Sequence, residues 1–251
     1  MVALAPLASL VYAKATDNPA VVYDKRKAAG VTLHVIQADI SRRDVNLGMV
    51  TAQGGIGKLE SWSSMIHRAK PVAAITGTYF DTVSLQPIGS MGVGGKSIYE
   101  GFVGTAFTYN PFTGPAMHFA KPERTFKFEN AEMWLRAGPR LLTDGKTTLY
   151  PKQEGFRDPA VFQKKPRTAI AINDSGKLLM VAVKQPVLLR QMAAALKGIG
   201  AVEAMCLDGG SSAGLYHEGT TLLRPQRQLT NLLVIYDTTE AYQASLKLFN
   251  D

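Results

Sequence analysis

The alternation of apolar and polar positions predicts strands along most of this chain. Val31, Leu33 and Val35 fall on one side with Thr32 and His34 on the other, and the run continues to Ile40, predicting a strand whose partner is residues 45–50. Short uninterrupted apolar runs at 72–75, 169–172, 178–183 and 232–236 predict further strands, the first of them buried. Residues 102–109, 126–128 and 133–135 also read as extended. Two stretches carry helical spacing instead. Residues 59–68 place Trp62, Met65 and Ile66 on one face and stop at Pro71; residues 188–199 do the same with Leu188, Leu189, Met192, Ala195, Leu196 and Ile199, ending at Gly198 and Gly200. A short helix or tail closes the chain.

Turn chemistry separates these segments: a glycine loop at 54–57, Asp144-Gly145, and Asn173-Asp174-Ser175-Gly176. Residues 151–166 form a polar, irregular loop long enough to suggest a function or local mobility. The expected fold class is therefore α+β, with mixed, largely antiparallel β-sheets and a few packed helices. Without an internal repeat or a linker, one domain is expected over residues 21–240, preceded by a leader remnant or extension at 1–20 and followed by a tail at 241–251.

Composition adds bounds. At 251 residues and 46% apolar content the chain can bury a substantial core. A net charge of +8 favours acidic partners, but the cations are dispersed, with no run beyond 24–27 or 164–167, which argues against a nucleic-acid stripe. The single cysteine, Cys206, excludes an intrachain disulfide and a cysteine-based zinc site, and its apolar flank predicts an inert, packed thiol. His34, His67, His118 and His217 form no ligand pair, leaving a histidine metal site without sequence support. No stretch is apolar enough for a membrane span. An Ala-Lys-Ala at 13–15 follows an apolar opening, like the end of a secretory signal without its basic start; a first helix would read the same way, and a trimmed leader with a secreted or periplasmic location is the expectation.

The chemistry concentrates in Cys206-Leu207-Asp208-Gly209-Gly210-Ser211-Ser212. An apolar strand is expected to end at Asp208, turn through Gly209 and Gly210, and leave as a second strand from about Ala213. Backbone N–H groups of a glycine turn and two short hydroxyls beside a fixed acid suit an anionic ligand. An ordinary hairpin turn would use the same residues, and this stretch alone does not choose. Residues 72–81 repeat the design: an apolar strand running into Thr76-Gly77-Thr78-Tyr79-Phe80-Asp81.

Two familiar patterns fail on context. Residues 90–97 differ from the phosphate loop only at the first position, but no helix follows, so a glycine loop between strands is expected. Residues 210–214 match G-x-S-x-G, yet the acid and histidine that a serine triad needs do not follow in order. Ser212 reads instead as a ligand donor or turn hydroxyl.

Taken in order, residues 72–80, Ala137-Gly138-Pro139 with Asp144-Gly145, Pro166-Arg167-Thr168-Ala169-Ile170, the helix ending at Gly200-Ala201, Leu207 through Ser212, and 227–234 resemble the phosphodiester glycosidase family over about 31–236. Thr76 and Cys206 stand where that family usually has Asn. The resemblance implies a single domain of that fold and hydrolysis of a sugar-1-phosphodiester at the anomeric carbon. It also implies a phosphorylated glycan or sugar phosphate of the cell envelope or an exopolysaccharide as substrate; no cofactor is expected and no residue is assigned to a metal, while ligation by carboxylates stays open. A phosphomonoester leaves more easily than an alkoxide, so one carboxylate and a cationic clamp suffice. On this reading Asp208 is nucleophile or general base and Arg167 grips the phosphate with the Gly209 and Gly210 amides and Ser211 or Ser212. Thr76, Gly77 and Tyr79 line the sugar side, the tyrosine as an aromatic platform, although core packing would explain Tyr79 equally well and Phe80 better. Arg140, Arg227 and Asn231 match family positions. Two other readings are a non-catalytic module for phosphorylated or acidic glycans and a metal-dependent phosphodiesterase using Asp208 and Asp81.

Overall fold

The computed structural model describes residues 19–122 and 126–249. In chain order the strands are β1 (Val21–Ala28), β2 (Val31–Ala38), β3 (Asn46–Thr51), β4 (Ala73–Thr76), β5 (Gly89–Val93), β6 (Lys96–Phe102), β7 (Thr105–Asn110), β8 (Gly114–His118), β9 (Met133–Ala137), β10 (Arg140–Thr143), β11 (Lys146–Thr147), β12 (Lys165–Asn173), β13 (Leu178–Val187), β14 (Ala201–Leu207), β15 (Leu215–His217), β16 (Thr220–Leu223) and β17 (Asn231–Tyr236). The helices are α1 (Trp62–Ala69), α2 (Leu189–Gly198) and α3 (Thr239–Leu246). They form three antiparallel sheets in the orders β1-β2-β13-β12-β14-β10-β11, β16-β15-β4-β17-β3 and β6-β5-β9-β7-β8. The α+β, largely antiparallel expectation holds.

Period-2 alternation explains why the seven-stranded sheet is covered twice. On β14, Met205 and Leu207 face a central core shared by all three sheets, while Ala204 and Cys206 face a second cluster under α2. The apolar positions of α2, including Leu189, Met192, Ala193 and Leu196, close that second face. The central core draws Leu47 and Met49 from β3, Ile75 from β4, Met91 from β5, Leu135 from β9 and Leu233 from β17.

Several local expectations are revised. Residues 45–50 do not pair with β2; β3 joins the second sheet beside β17, with Leu232 opposite Val50. The partner of β2 is β1, whose run Asp24-Lys25-Arg26-Lys27 is a charged edge strand that blunts the sheet against further pairing. The extended segment at 102–109 divides into β6 and β7 around Gly104, because a Cβ there would lie 1.9 Å from the Ala137 carbonyl oxygen. The glycine loop at 90–97 is instead a hairpin, β5 and β6, turning on Gly94-Gly95 with both glycines in the left-handed region. Residues 126–128 are not a strand; Phe128 stacks on Trp134, 5.1 Å between ring centres. The leader expected at 1–20 lies, up to residue 18, outside the described residues.

Candidate active site

Asp208 follows β14, which lies between β12 and β10 in the seven-stranded sheet. Its N–H donates to the Gly77 carbonyl at 3.0 Å, tying the end of β14 to the end of β4 in the second sheet. The Thr168 hydroxyl donates to the Asp208 carbonyl at 2.6 Å from β12. The acid therefore sits at the seam between two sheets, its backbone held from both sides.

The glycine turn takes a different course from a hairpin. Residues Gly210–Ser212 make one 3-10 turn, and the chain then enters β15, which pairs with β4 instead of returning along β14. Gly209 must be small because a Cβ would lie 2.8 Å from the Pro166 carbonyl oxygen, and Gly210 has a φ of 59°. Ser212 is fully buried, and its carbonyl accepts from the Thr76 hydroxyl. Ser211 is exposed, and its carbonyl accepts from the Gln226 N–H at 2.7 Å, which brings the 224–230 segment back across the turn.

That segment delivers Arg227. Its Nη2 donates to Asp208 Oδ2 at 3.3 Å, its Nε donates to Ser212 Oγ at 2.6 Å, and its guanidinium lies 4.4 Å from the centre of the Phe80 ring. Asp208 is only 6% exposed, and burial raises its carboxyl to about 6, opposed by the Arg227 charge and by hydrogen bonding from Ser212, Arg227 and the Gly209 backbone. The result is a carboxylate that ionises near neutral pH beside a cation partly open to solvent.

Gly77 and Asn231 form the floor. The Asn231 side chain accepts from the Thr78 N–H at 2.7 Å and donates to the Thr78 carbonyl at 3.2 Å, so the amide lies where a Gly77 side chain would be; a Cβ there would sit 2.0 Å from Asn231 Oδ1. Asn231 thus shapes the backbone after β4. Thr76 and Cys206, the departures from the family pattern, are both turned inward: the Thr76 hydroxyl serves the Ser212 carbonyl, and Cys206 packs under α2 with its thiol pushed up to about 12 by burial.

Three expected site residues are used differently from the expectation. Arg167 does not meet the Asp208 carboxylate: its Nε and Nη2 donate to the carbonyls of Val187, Val161 and Gln163, which pins the 159–163 turn to the sheet. Arg140 turns back along β10 to the Leu142 carbonyl and an ion pair with Glu203, five residues before Asp208 on β14, or about 17 Å along the strand. Tyr79 is half-buried near the carboxylate, its ring meeting Phe156 edge-on at 5.5 Å, and burial, with the Cys206 and Asp208 charges, pushes its hydroxyl well up. The aromatic face that touches the site's cation is Phe80, which its position in an apolar run disguised as core. Lys165, whose Cδ approaches within 3.9 Å of a Cβ on Gly210, is a second cation that the sequence announced only as part of a charge run. Among the described residues, no three of His, Cys, Asp and Glu gather into a metal-holding group.

Comparison with known proteins agrees with this architecture. The family described as phosphodiester glycosidase matches residues 69–236. A Synechocystis protein of unassigned function superposes with a TM-score of 0.75 at 15% identity, covering 88% of this chain, which spans 64% of that protein. The catalytic domain of zebrafish N-acetylglucosamine-1-phosphodiester alpha-N-acetylglucosaminidase, auto-inhibited by its pro-peptide, gives 0.70 at 21% identity over 89% of this chain and 85% of its own. A Burkholderia pseudomallei protein thought to be exported gives 0.63 at 14% identity over 82% of this chain and 74% of its own. No curated protein matches. With the family match running from the end of α1 through β17, and so across every element that builds the Asp208 cluster, this chain belongs to the phosphodiester glycosidase family.

Proposed function

We propose that this protein hydrolyses a sugar-1-phosphodiester at the anomeric carbon, releasing free sugar and a phosphomonoester. The observation that carries the reading is the buried Asp208 carboxylate paired with Arg227 at the seam of two sheets. In the reaction the anomeric carbon loses its bond to the phosphate oxygen, the electron pair leaves on the phosphate, and water supplies the new hydroxyl. Ionised Asp208 acts at the anomeric carbon as nucleophile or as base for that water, and its charge stabilises the developing cation. Arg227 takes the role first given to Arg167. It is partly exposed and already aimed at the carboxylate, so it can hold the departing phosphate while Ser212 orients it. Lys165 and the Gly209 and Gly210 amides supply further positive potential on the same side. Gly77 and Asn231 shape the floor, and Thr76 holds the Ser212 carbonyl. A cell-envelope or exopolysaccharide glycan, met outside the cytoplasm, is the natural source of such a bond; the fold shared with a protein thought to be exported supports that setting.

The test is Asp208→Asn assayed on a panel of sugar-1-phosphodiesters. Release of free sugar should fall by about 10³-fold or more, with the far-ultraviolet dichroism unchanged. Turnover within a few-fold of the parent would refute the assignment. Oxygen-18 from water should appear in the sugar; its appearance in the phosphate would identify P–O cleavage and overturn the glycosidase reading.

A further inference from the structure

A large cleft lined by none of the site residues above opens at the end of β3. It encloses about 950 Å³ between the end of β3 with the 52–56 loop, the β5–β6 turn and the C-terminal end of α3. Its cations are Arg68, Lys96 and Lys247, and among the described residues no carboxylate lines it. Arg68 is engaged by Glu60 at 2.7 Å, whereas Lys96 and Lys247 are exposed. Gln53, Ser97 and Gln243 add amide and hydroxyl groups between apolar patches.

Two connections join the cleft to the Asp208 cluster. The Ala52 N–H donates to the Thr230 carbonyl at 2.8 Å, and Thr230 is three residues from Arg227, about 10 Å of extended chain. On the other side Gly57, next to the cleft loop, lies against Gln86 of the loop that follows Phe80: a Cβ there would be 2.9 Å from Gln86 Nε2. The same two segments that place Arg227 and Phe80 at the carboxylate thus build or touch the cleft's near wall.

We propose that this cleft binds the portion of a phosphate-bearing glycan that extends beyond the bond being cut, which makes the protein selective for polymeric over small phosphodiesters. The inference rests on the hydrolytic reading for the identity of the polymer but not for the binding itself. The exposed Lys96 and Lys247 favour an anionic chain, the hydroxyl and amide groups match sugar hydroxyls, and the volume exceeds what a single sugar fills. An anionic membrane surface is the competing partner, and vesicle binding separates the two.

The experiment measures binding of a poly(hexose-1-phosphate) to the full chain carrying Asp208→Asn, by titration calorimetry, with and without Lys96→Glu and Lys247→Glu together. The Kd should rise by about tenfold or more in the charge-reversed protein, binding should weaken steeply with added salt, and neutral dextran should not bind. Equal affinity with and without the reversals overturns the proposal. So does loss of binding to anionic phospholipid vesicles with polymer binding intact, since the cleft would then be a membrane contact. Both lysines are exposed, so folding should survive; the thermal midpoint checks this, and Lys96→Gln with Lys247→Gln gives the same comparison without reversing charge. If the polymer binds as expected but is never hydrolysed by the parent, the catalytic reading fails and the cleft stands.

Discussion

Burial and a neighbouring arginine act on Asp208 in opposite senses, and the net outcome is a carboxyl near 6. Since the proposed chemistry needs the ionised form, kcat/KM should climb through about pH 6 and then level off. Arg227→Ala should carry that limb to higher pH, because the guanidinium is the leading influence holding the carboxyl down. A rate profile whose acid limb is unmoved by that substitution would contradict the pairing. Linkage gives the sign for stability. Protonated Asp208 favours the folded state below its ordinary value of 3.8, and that contribution is lost as pH rises through about 6. The thermal midpoint of Asp208→Asn should therefore fall less than the parent's between pH 4 and pH 7. Gly77 shows the other constraint at this scale. Its absent side chain is occupied by the Asn231 amide, so Gly77→Ala should cost roughly 1–3 kcal/mol and lose activity together, because the displaced amide releases the Thr78 backbone. Wild-type melting behaviour in that variant would show that the contact yields.

Among the elements, β12 and the 159–163 turn depend on one buried side chain. Arg167 is 4% exposed and serves three carbonyls on two segments, which makes it a structural staple. Arg167→Ala leaves those acceptors without a donor and should destabilise by about 3 kcal/mol, with earlier proteolysis near residues 159–163. The distinguishing readout is selectivity: relative kcat/KM between charged and neutral aglycones should not change. A selective loss on phosphorylated substrates would return Arg167 to the phosphate. The motif around it was legible as a block, since Pro166, Arg167 and Thr168 adjoin a buried strand, but direction along a strand decides use. Thr168 spends its hydroxyl on the Asp208 backbone carbonyl, and Arg167 spends its guanidinium on the carbonyls of Val187, Val161 and Gln163 instead of the Asp208 carboxylate.

At the level of the whole molecule, three sheets contribute to one central core, so no sheet can lose its packing without exposing the others. Thermal unfolding should then be a single transition, with far- and near-ultraviolet dichroism coincident and calorimetric and van't Hoff enthalpies equal. Two separated transitions would show that the α2-covered layer unfolds by itself. The net charge of +8 acts at the same scale: it raises the potential over the whole surface for anionic ligands, whereas the cleft cations and Arg227 decide where they settle.

The sequence by itself determined the strand-rich pattern, the helix α2, the antiparallel class and the family, because apolar periodicity and turn residues are local quantities. It also singled out Asp208 with its glycines, since a lone acid ending an apolar run is visible in one dimension. It did not determine which strands pair: β3 belongs beside β17, and β15 leaves the Asp208 turn for another sheet, because pairing depends on which apolar faces meet across long separations. Nor could it choose among arginines. Arg140, Arg167 and Arg227 all stand in family-like blocks, and only the tertiary structure assigns two of them to backbone carbonyls and an internal ion pair and the third to the carboxylate. A guanidinium's role is set by the acceptors that surround it, and those acceptors come from segments far apart in the chain.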